Sequence, residues 1–190
     1  MNLGLPNQNV APNRRLRLGP VPWSFGSSKG QGSAVGELWT FGGGAPMNPD
    51  DFKDLIAQKA EKAVSFSQKH NYGALDYSEA SLEIMESILT RAATHASQMP
   101  KDALSGLVEV FGCYVLEVGR RQLGGRYCWH EPRNQPVLVV GEPGFRIAMM
   151  TFDRVHSRLL GNREDNIPFF FDGFASRVRR AQPGDDVLDV

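Results

Sequence analysis

Residues 104–125, LSGLVEVFGCYVLEVGRRQLGG, constrain the fold more than any other part of the sequence. Apolar residues recur there at steps of three and four, the spacing that places side chains on one face of an α-helix. They are Leu104, Leu107, Val108, Phe111, Tyr114, Val115 and Val118. Gly124 and Gly125 then end the pattern, because glycine adopts the left-handed conformation that closes a helix. The sequence therefore predicts a buried central helix.

Two glycines, Gly112 and Gly119, interrupt this helix seven residues apart, so they lie on nearly the same face. Each glycine costs the helix about 1 kcal/mol relative to alanine. We therefore expect a neighbouring backbone to approach the helix closely at that face, where a larger residue would obstruct it.

Two amphipathic helices precede the central one. The first begins near Asn48 or Asp50, where Asn-Pro-Asp-Asp supplies an N-cap, a proline in the first turn and acidic residues. Asp76 or Ser78 caps the second helix, whose apolar stripe includes Leu82, Met85 and Leu89. Pro100 opens the central helix.

Three short strands are predicted after the double glycine, at residues 126–130, 136–142 and 145–150. The connections EPRNQ and EPG are turn sequences too short for a parallel crossover, so the strands form an antiparallel meander. A sheet this small is not stable alone and must pack on helices. Two helices close the domain. On the first, His156 is expected to be half-buried, and the residues that face inward are Phe152, Val155, Leu159 and Leu160. The second starts at Asp165 or Asn166, and an acidic, frayed tail follows at residues 182–190. The predicted fold is α+β, a helical layer on a small antiparallel sheet, in one domain over residues 49–181.

Residues 1–48 form a separate N-terminal arm that is rich in glycine and proline. Such a composition excludes a helix and disfavours a central strand. The arm nevertheless contains Trp23, Phe25, Trp39 and Phe41. Two interpretations stay open: a disordered lead, or an extended strap whose aromatic residues pack on the domain or on a partner.

The charge is balanced overall but segregated along the chain. The 190 residues carry a formal net charge of zero, which gives no general attraction to nucleic acid or to an anionic membrane. Residues 50–119 contain 11 acidic and 6 basic residues, and residues 120–180 contain 6 acidic and 11 basic ones. This segregation suits either a protein-binding surface or a solvated structural dipole.

Several observations favour a cytoplasmic protein without a cofactor. Cys113 and Cys128 are too few for a disulfide framework, which fits a reducing compartment. The first 20 residues are broken by proline, asparagine and arginine and do not resemble a secretion signal. No apolar run approaches the length of a membrane span. The four histidines are scattered, so the sequence predicts neither a metal site nor a catalytic pair, and we expect no enzymatic activity.

The candidate partner-binding residues are polar or aromatic. Glu117 precedes Arg120 and Arg121 at helical spacing, and this cluster is either a charged patch for a partner or a set of surface ion pairs. Trp129 either forms an exposed rim or covers the sheet. In the run Phe169 to Phe171 at least one ring must flank the core or face outward. Either Phe169 packs on the sheet edge or on a partner, or the core is wide enough to absorb all three rings. The acidic residues of the helical half complete the set: Asp50, Asp51, Asp54, Glu79, Glu83 and Glu86.

The order of these motifs resembles a group of small bacterial domains of unknown function. The similarity spans residues 76–180 and depends on a Gly-x-Tyr-x-x-Glu helix ending in a double glycine, a short sheet, and Arg-Leu-x-Gly before a Phe-rich helix. The matching residues are Gly112, Tyr114, Glu117, Gly124, Gly125, Tyr127, Arg158, Leu159 and Gly161. Some members of that group resemble immunity proteins encoded beside secreted antibacterial toxins. The resemblance implies a non-enzymatic inhibitor that occludes a toxin's active site or prevents its assembly, and it transfers no catalytic residues.

The leading functional hypothesis is therefore an immunity-type protein whose acidic half meets a basic cleft of a toxin effector, with complementarity accelerating association. The alternative is an adaptor or structural component of a secretion or phage-like assembly, in which the arm adds a strand to a neighbour's sheet. An enzyme built around Glu117, Arg120, Arg121 and Tyr114 is the third hypothesis.

Overall fold

The computed structural model describes residues 49–189, so both interpretations of the arm at residues 1–48 lie outside the described chain. The five α-helices are α1 (Pro49–Lys69), α2 (Ser81–Ala93), α3 (Lys101–Leu123), α4 (Phe152–Leu159) and α5 (Ile167–Arg179). The four strands are β1 (Arg126–His130), β2 (Gln135–Val140), β3 (Arg146–Met149) and β4 (Asp186–Asp189). The α+β class predicted from the sequence is confirmed.

Helix α3 lies at the centre, as its apolar pattern predicts. Its residues from Phe111 to Gly119 are all buried. Helix α1 packs along α3, while α4, α5 and β2 contact it on its other sides. The helix ends at Gly124, which has a positive φ of 78° and donates its N–H to the carbonyl of Arg120 at 2.9 Å. The double-glycine stop is therefore confirmed.

The expectation of a neighbouring backbone at Gly112 and Gly119 is wrong, because side chains occupy that space. The ring of Phe152 lies where a Cβ of Gly112 would be. A Cβ on Gly119 would lie 2.7 Å from Leu138 and 3.0 Å from Met149. The two glycines therefore make room for α4 and the sheet to pack directly on α3.

The first three strands form the predicted antiparallel meander, with Cys128 opposite Val137 and Val139 opposite Ala148. The prediction of a frayed acidic tail is wrong, and the domain extends past residue 181. Strand β4 pairs in parallel with β3, so the sheet is mixed, in the order β1-β2-β3-β4. The N–H of Met150 donates to the carbonyl of Asp189 at 2.9 Å. Ion pairs explain why acidic residues are ordered there: Arg146 with Asp186 and Arg177 with Asp189.

The two faces of this sheet carry separate apolar clusters. The inner face packs on the helices through Tyr127, Trp129, Leu138, Val140, Ile147 and Met149. The outer face carries the second cluster, made of Cys128, Val137, Val139, Ala148 and Met150 with Leu188 packed against it. All six residues of β2, from both faces of the strand, are buried.

The side-chain caps predicted at the starts of α2 and α5 are present. The hydroxyl of Ser78 accepts a hydrogen bond from the N–H of Ser81, the first residue of α2, at 3.2 Å. The side chain of Asn166 caps α5 by accepting from the N–H of Phe169 at 2.9 Å. Among the helices of residues 49–189, none combines the length and the apolar run that crossing a bilayer would take.

Candidate functional site

Glu117 is the centre of a hydrogen-bonded cluster at the C-terminal end of α3. Its side chain is only 1% exposed. One carboxylate oxygen accepts from Nη2 of Arg120 and from Nε of Arg121, each at 2.7 Å. The other accepts from Nε of Arg120 at 3.0 Å and from the hydroxyl of Tyr127 at 2.6 Å. Four hydrogen bonds from three side chains therefore satisfy this buried charge, which would otherwise be costly.

The carboxyl of Glu117 stays ionised in this environment. Burial by itself raises its pKa, but the hydrogen bonds from Arg120, Tyr127 and Arg121 outweigh burial and hold the pKa at about 2. The predicted ion pairs along the helix are thus present, yet the carboxylate is beneath the surface. The two guanidinium groups, not Glu117 itself, are what a partner would meet.

The same cluster fastens the connection between α1 and α2. The guanidinium carbon of Arg121 lies 3.6 Å from the ring centre of Tyr77, a cation–π contact. Tyr77 has a positive φ of 64°, an unusual backbone conformation for a bulky residue. Its N–H donates to the hydroxyl of Tyr114 at 3.0 Å and its carbonyl accepts from Gln122 at 2.9 Å. The hydroxyl of Tyr114 also lies 2.6 Å from that of Ser81. These contacts hold the strained turn against α3.

The placement of Glu86 on an exposed acidic surface is wrong. Glu86 is 9% exposed and its Oε1 accepts from Nε of Arg158, itself 6% exposed, at 2.5 Å. Its second oxygen accepts from the N–H of Ile167 at 3.1 Å, and Arg158 also bonds Thr90. Glu86 therefore joins α2 to α4 and to the start of α5. Sequence reasoning did not identify Arg158 as its partner, because 72 residues separate the two.

The remaining acidic candidates do not form one surface. Helix α1, which carries Asp50, Asp51 and Asp54, packs mainly on α3, whereas α2 packs mainly on α4 and α5. Glu79 forms an ion pair with Arg179. Glu83 is exposed on α2. The acidic half of the sequence is thus divided between two parts of the fold.

Trp129 lies on the inner face of the sheet. Its ring contacts Phe52 of α1 edge-on, with ring centres 6.0 Å apart. It is half-buried and belongs to the periphery of the main core. Of the two sequence interpretations, covering the sheet is the one that the structure shows.

Residues 160–169, which comprise the connection between α4 and α5 and the first three residues of α5, expose two large apolar side chains. Phe169 is 77% exposed and Leu160 is 61% exposed. The outward ring of Phe169 shows that the core does not absorb all three rings of the Phe run. The inward placement expected for Leu160 is wrong: it follows buried Leu159 directly, and α4 ends between them. His156, expected to be half-buried, is also exposed. We call residues 160–169 the α4–α5 corner.

The α4–α5 corner is held rigidly. Ile167 is fully buried, and its N–H is fixed by Glu86. The side chain of Asn162 accepts from the N–H of Glu164 at 3.1 Å and donates to Asp165 at 2.7 Å. Together with the Asn166 cap, these bonds fix the backbone from which Phe169 projects.

The two thiols are deeply placed. Burial raises the pKa of Cys113 to about 12 and that of Cys128 to about 11, so both are protonated near neutral pH. In the part of the chain that the structure describes, no group of three or more histidine, cysteine or acidic side chains is placed to hold a metal ion.

Comparisons with known proteins found no relative whose geometry could be set beside that of this chain. The sequence matches no protein-family model, and neither curated proteins nor solved structures give a match.

Proposed function

We propose that this chain is a non-enzymatic, cytoplasmic binding protein of the immunity type, which neutralises a bacterial toxin by direct contact. The observation that carries the proposal is the α4–α5 corner, where Phe169 projects into solvent from a rigid helix start. A large exposed aromatic side chain is the kind of residue that dominates binding energy at protein interfaces.

The rigidity of the corner supports a binding role. Ordering a mobile loop on association costs free energy and weakens binding. Here the backbone at Phe169 and just before it is fixed before any partner arrives, by the Asn166 cap and by the bond from Ile167 to Glu86. Polar and exposed residues adjoin the apolar side chains, among them Arg163 and Glu164. An apolar centre with a polar border is the usual composition of a protein interface.

The residues behind the bacterial resemblance have structural contacts in this fold. Gly112 makes room for Phe152, Glu117 binds three donors, and Arg158 binds Glu86. They specify a scaffold, so recognition of a particular toxin would depend on surface residues outside that pattern. Phe169 and Leu160 are not among the individually matching residues, although Phe169 lies in the Phe-rich helix of that pattern.

Site-specific photocrosslinking tests this function. We would place a benzophenone amino acid at position 169 of the full chain, and at exposed Lys62 of α1 as the control. A toxin crosslinked from position 169 and not from position 62 would support the proposal. Crosslinking from position 62 alone would place the interface elsewhere and overturn it.

The captured toxin then allows a quantitative test. Phe169→Ser should cost about 2 kcal/mol of binding free energy, roughly a 30-fold rise in Kd, if the ring is an interface anchor. Lys62→Ser should leave Kd unchanged. In a co-expression assay, Phe169→Ser should also lose protection against the toxin. Full protection by that variant would contradict the assigned surface.

The sheet edge supports one alternative, an adaptor in a secretion or phage-like assembly. Strand β1 is the first strand of the sheet and pairs on one side with β2; within residues 49–189 no strand pairs with its other side. Such an edge can accept a further strand. A chain whose residues 1–48 gain protease resistance only in a complex would favour this alternative.

A further inference from the structure

The outer face of the sheet is apolar and buried at its centre. Cys128 pairs with Val137, and Val139 pairs with Ala148, which pairs in turn with Leu188 of β4. The cluster residues of the first three strands are between 3% and 9% exposed, and Met150, which directly follows β3, is 1% exposed. Charged residues border the cluster, since Arg126 and Arg146 occupy the same face.

The described helices do not account for this burial. They contact the sheet through the inner face, which belongs to the main core, and at the end of β2, where the side chain of Gln135 bonds Phe152 and Asp153 of α4. Within residues 49–189, the apolar residue that packs against the outer cluster from outside it is Leu188, which belongs to the sheet itself. A side chain on an uncovered sheet face stays accessible to water on that side. The burial of Met150 to 1% therefore requires further atoms over this face, and the remaining chain consists of residues 1–48 and Val190.

The point where residues 1–48 join the domain favours them as the cover. They end at Pro49, the first residue of α1, and Phe52 one turn later contacts Trp129 of β1. The segment 42–48, GGGAPMN, spans up to about 23 Å when extended. Four strands are about 14 Å across, at 4.8 Å between neighbours. Residues just before position 42 can therefore pass around the β1 edge and reach the outer face.

The segment 34–41, AVGELWTF, has the composition that such a face requires. Trp39 and Phe41 are two residues apart, so they share a face of an extended strand. Aromatic side chains of this size bury about 150–250 Å² each. Because glycines surround this segment, helix or turn formation would stabilise it little. Burial of its aromatic side chains would therefore have to offset the entropy lost on ordering.

We propose that residues 34–41 of this chain lie across the outer face of the sheet in the same molecule, with Trp39 and Phe41 against Val137, Val139 and Met150. This strap selects one of the two sequence interpretations of the arm. It also weighs against the adaptor alternative, because an arm bound to its own sheet is not free to pair with a neighbour.

The reactivity of the two thiols tests the strap in the full chain. Cys128 lies on the outer face, whereas Cys113 lies inside α3 and serves as an internal control. Trp39→Ser with Phe41→Ser should raise the alkylation rate of Cys128 at least tenfold while Cys113 stays protected. The matched variant Trp23→Ser with Phe25→Ser should leave both rates unchanged. Unchanged protection of Cys128 after loss of Trp39 and Phe41 would overturn the proposal.

A second measurement does not depend on how those variants fold. A benzophenone amino acid at position 41 of the otherwise unaltered chain should crosslink to the peptide 137–150, and the product should have the mass of a monomer. A crosslinked dimer would show that a second copy covers the face, and a crosslink to helical residues would place the arm elsewhere. Either result would overturn the strap.

Discussion

Replacing Glu117 by glutamine tests the central electrostatic claim of this fold. The variant keeps the size of the side chain and removes the charge that Arg120, Arg121 and Tyr127 hold. The carboxyl has a pKa of about 2 in the folded protein against an ordinary value of 4.5. At 1.4 kcal/mol for each tenfold change in proton affinity, this difference corresponds to about 3 kcal/mol. We therefore expect Glu117→Gln to lower the free energy of unfolding by about 3 kcal/mol at pH 7.

The pH dependence of that loss has a definite sign. Because folding lowers the pKa of Glu117, its contribution is complete above pH 4.5 and declines as pH falls toward 2. At pH 3 about 1 kcal/mol of it should remain, by the same linkage relation. The difference between wild type and Glu117→Gln should narrow accordingly, because between these pH values the carboxyl binds a proton in the unfolded state while it stays ionised in the folded state.

Urea denaturation at pH 7 and at pH 3, followed by circular dichroism, measures both values. Glu83→Gln is the matched control, because Glu83 is exposed on α2 and its replacement should change stability by less than about 0.5 kcal/mol. A loss for Glu117→Gln that is equal at the two pH values would show that packing, not charge, explains it. A loss under about 0.5 kcal/mol at pH 7 would refute the stabilising role of the cluster.

Three further predictions concern contacts between distant elements, and urea denaturation measures each of them. Arg158→Ala leaves a buried carboxylate without its partner and should cost about 3–5 kcal/mol, whereas Arg163→Ala on the exposed corner should cost less than about 0.5 kcal/mol. Gly119→Ala would place a methyl group against the sheet and should cost about 1–3 kcal/mol. Gly106→Ala in the same helix meets open space and should instead gain about 0.5–1 kcal/mol. Tyr114→Phe removes the acceptor of a buried backbone N–H and should cost about 1–3 kcal/mol. A neutral Arg158→Ala, equal effects of the two glycine changes, or a neutral Tyr114→Phe would contradict the corresponding contact.

Local rules account for the parts of this fold that the sequence predicted. The apolar spacing of α3 and its double-glycine end depend on residues within one segment, as does the cap of α5 at Asn166. The outward position of Phe169 followed from the angle between successive helical residues. Each of these inferences needed only the geometry of one helix, which a single sequence contains.

The parts that the sequence did not predict depend on partners far along the chain. Glu86 looked like an exposed acid because its spacing on α2 does not reveal Arg158. The tail looked frayed because its aspartates suggest solvation, and only Arg146 and Arg177 on other elements explain why they lie in a strand. A periodic pattern identifies which face of an element is buried. It does not identify which charged residue meets which.

Ion pairs within the domain also change the interpretation of the charge segregation along the chain. Acidic residues of the first half meet basic residues of the second half inside the domain, as Glu86 meets Arg158 and Glu79 meets Arg179. The carboxylate of Glu117 likewise forms ion pairs with Arg120 and Arg121 of its own helix. Charges paired at such short range create only a weak field at the distance of an approaching partner. The acidic half is therefore a poor source of attraction to a basic toxin cleft. For an inhibitor built on this fold, the apolar α4–α5 corner is the stronger basis for affinity.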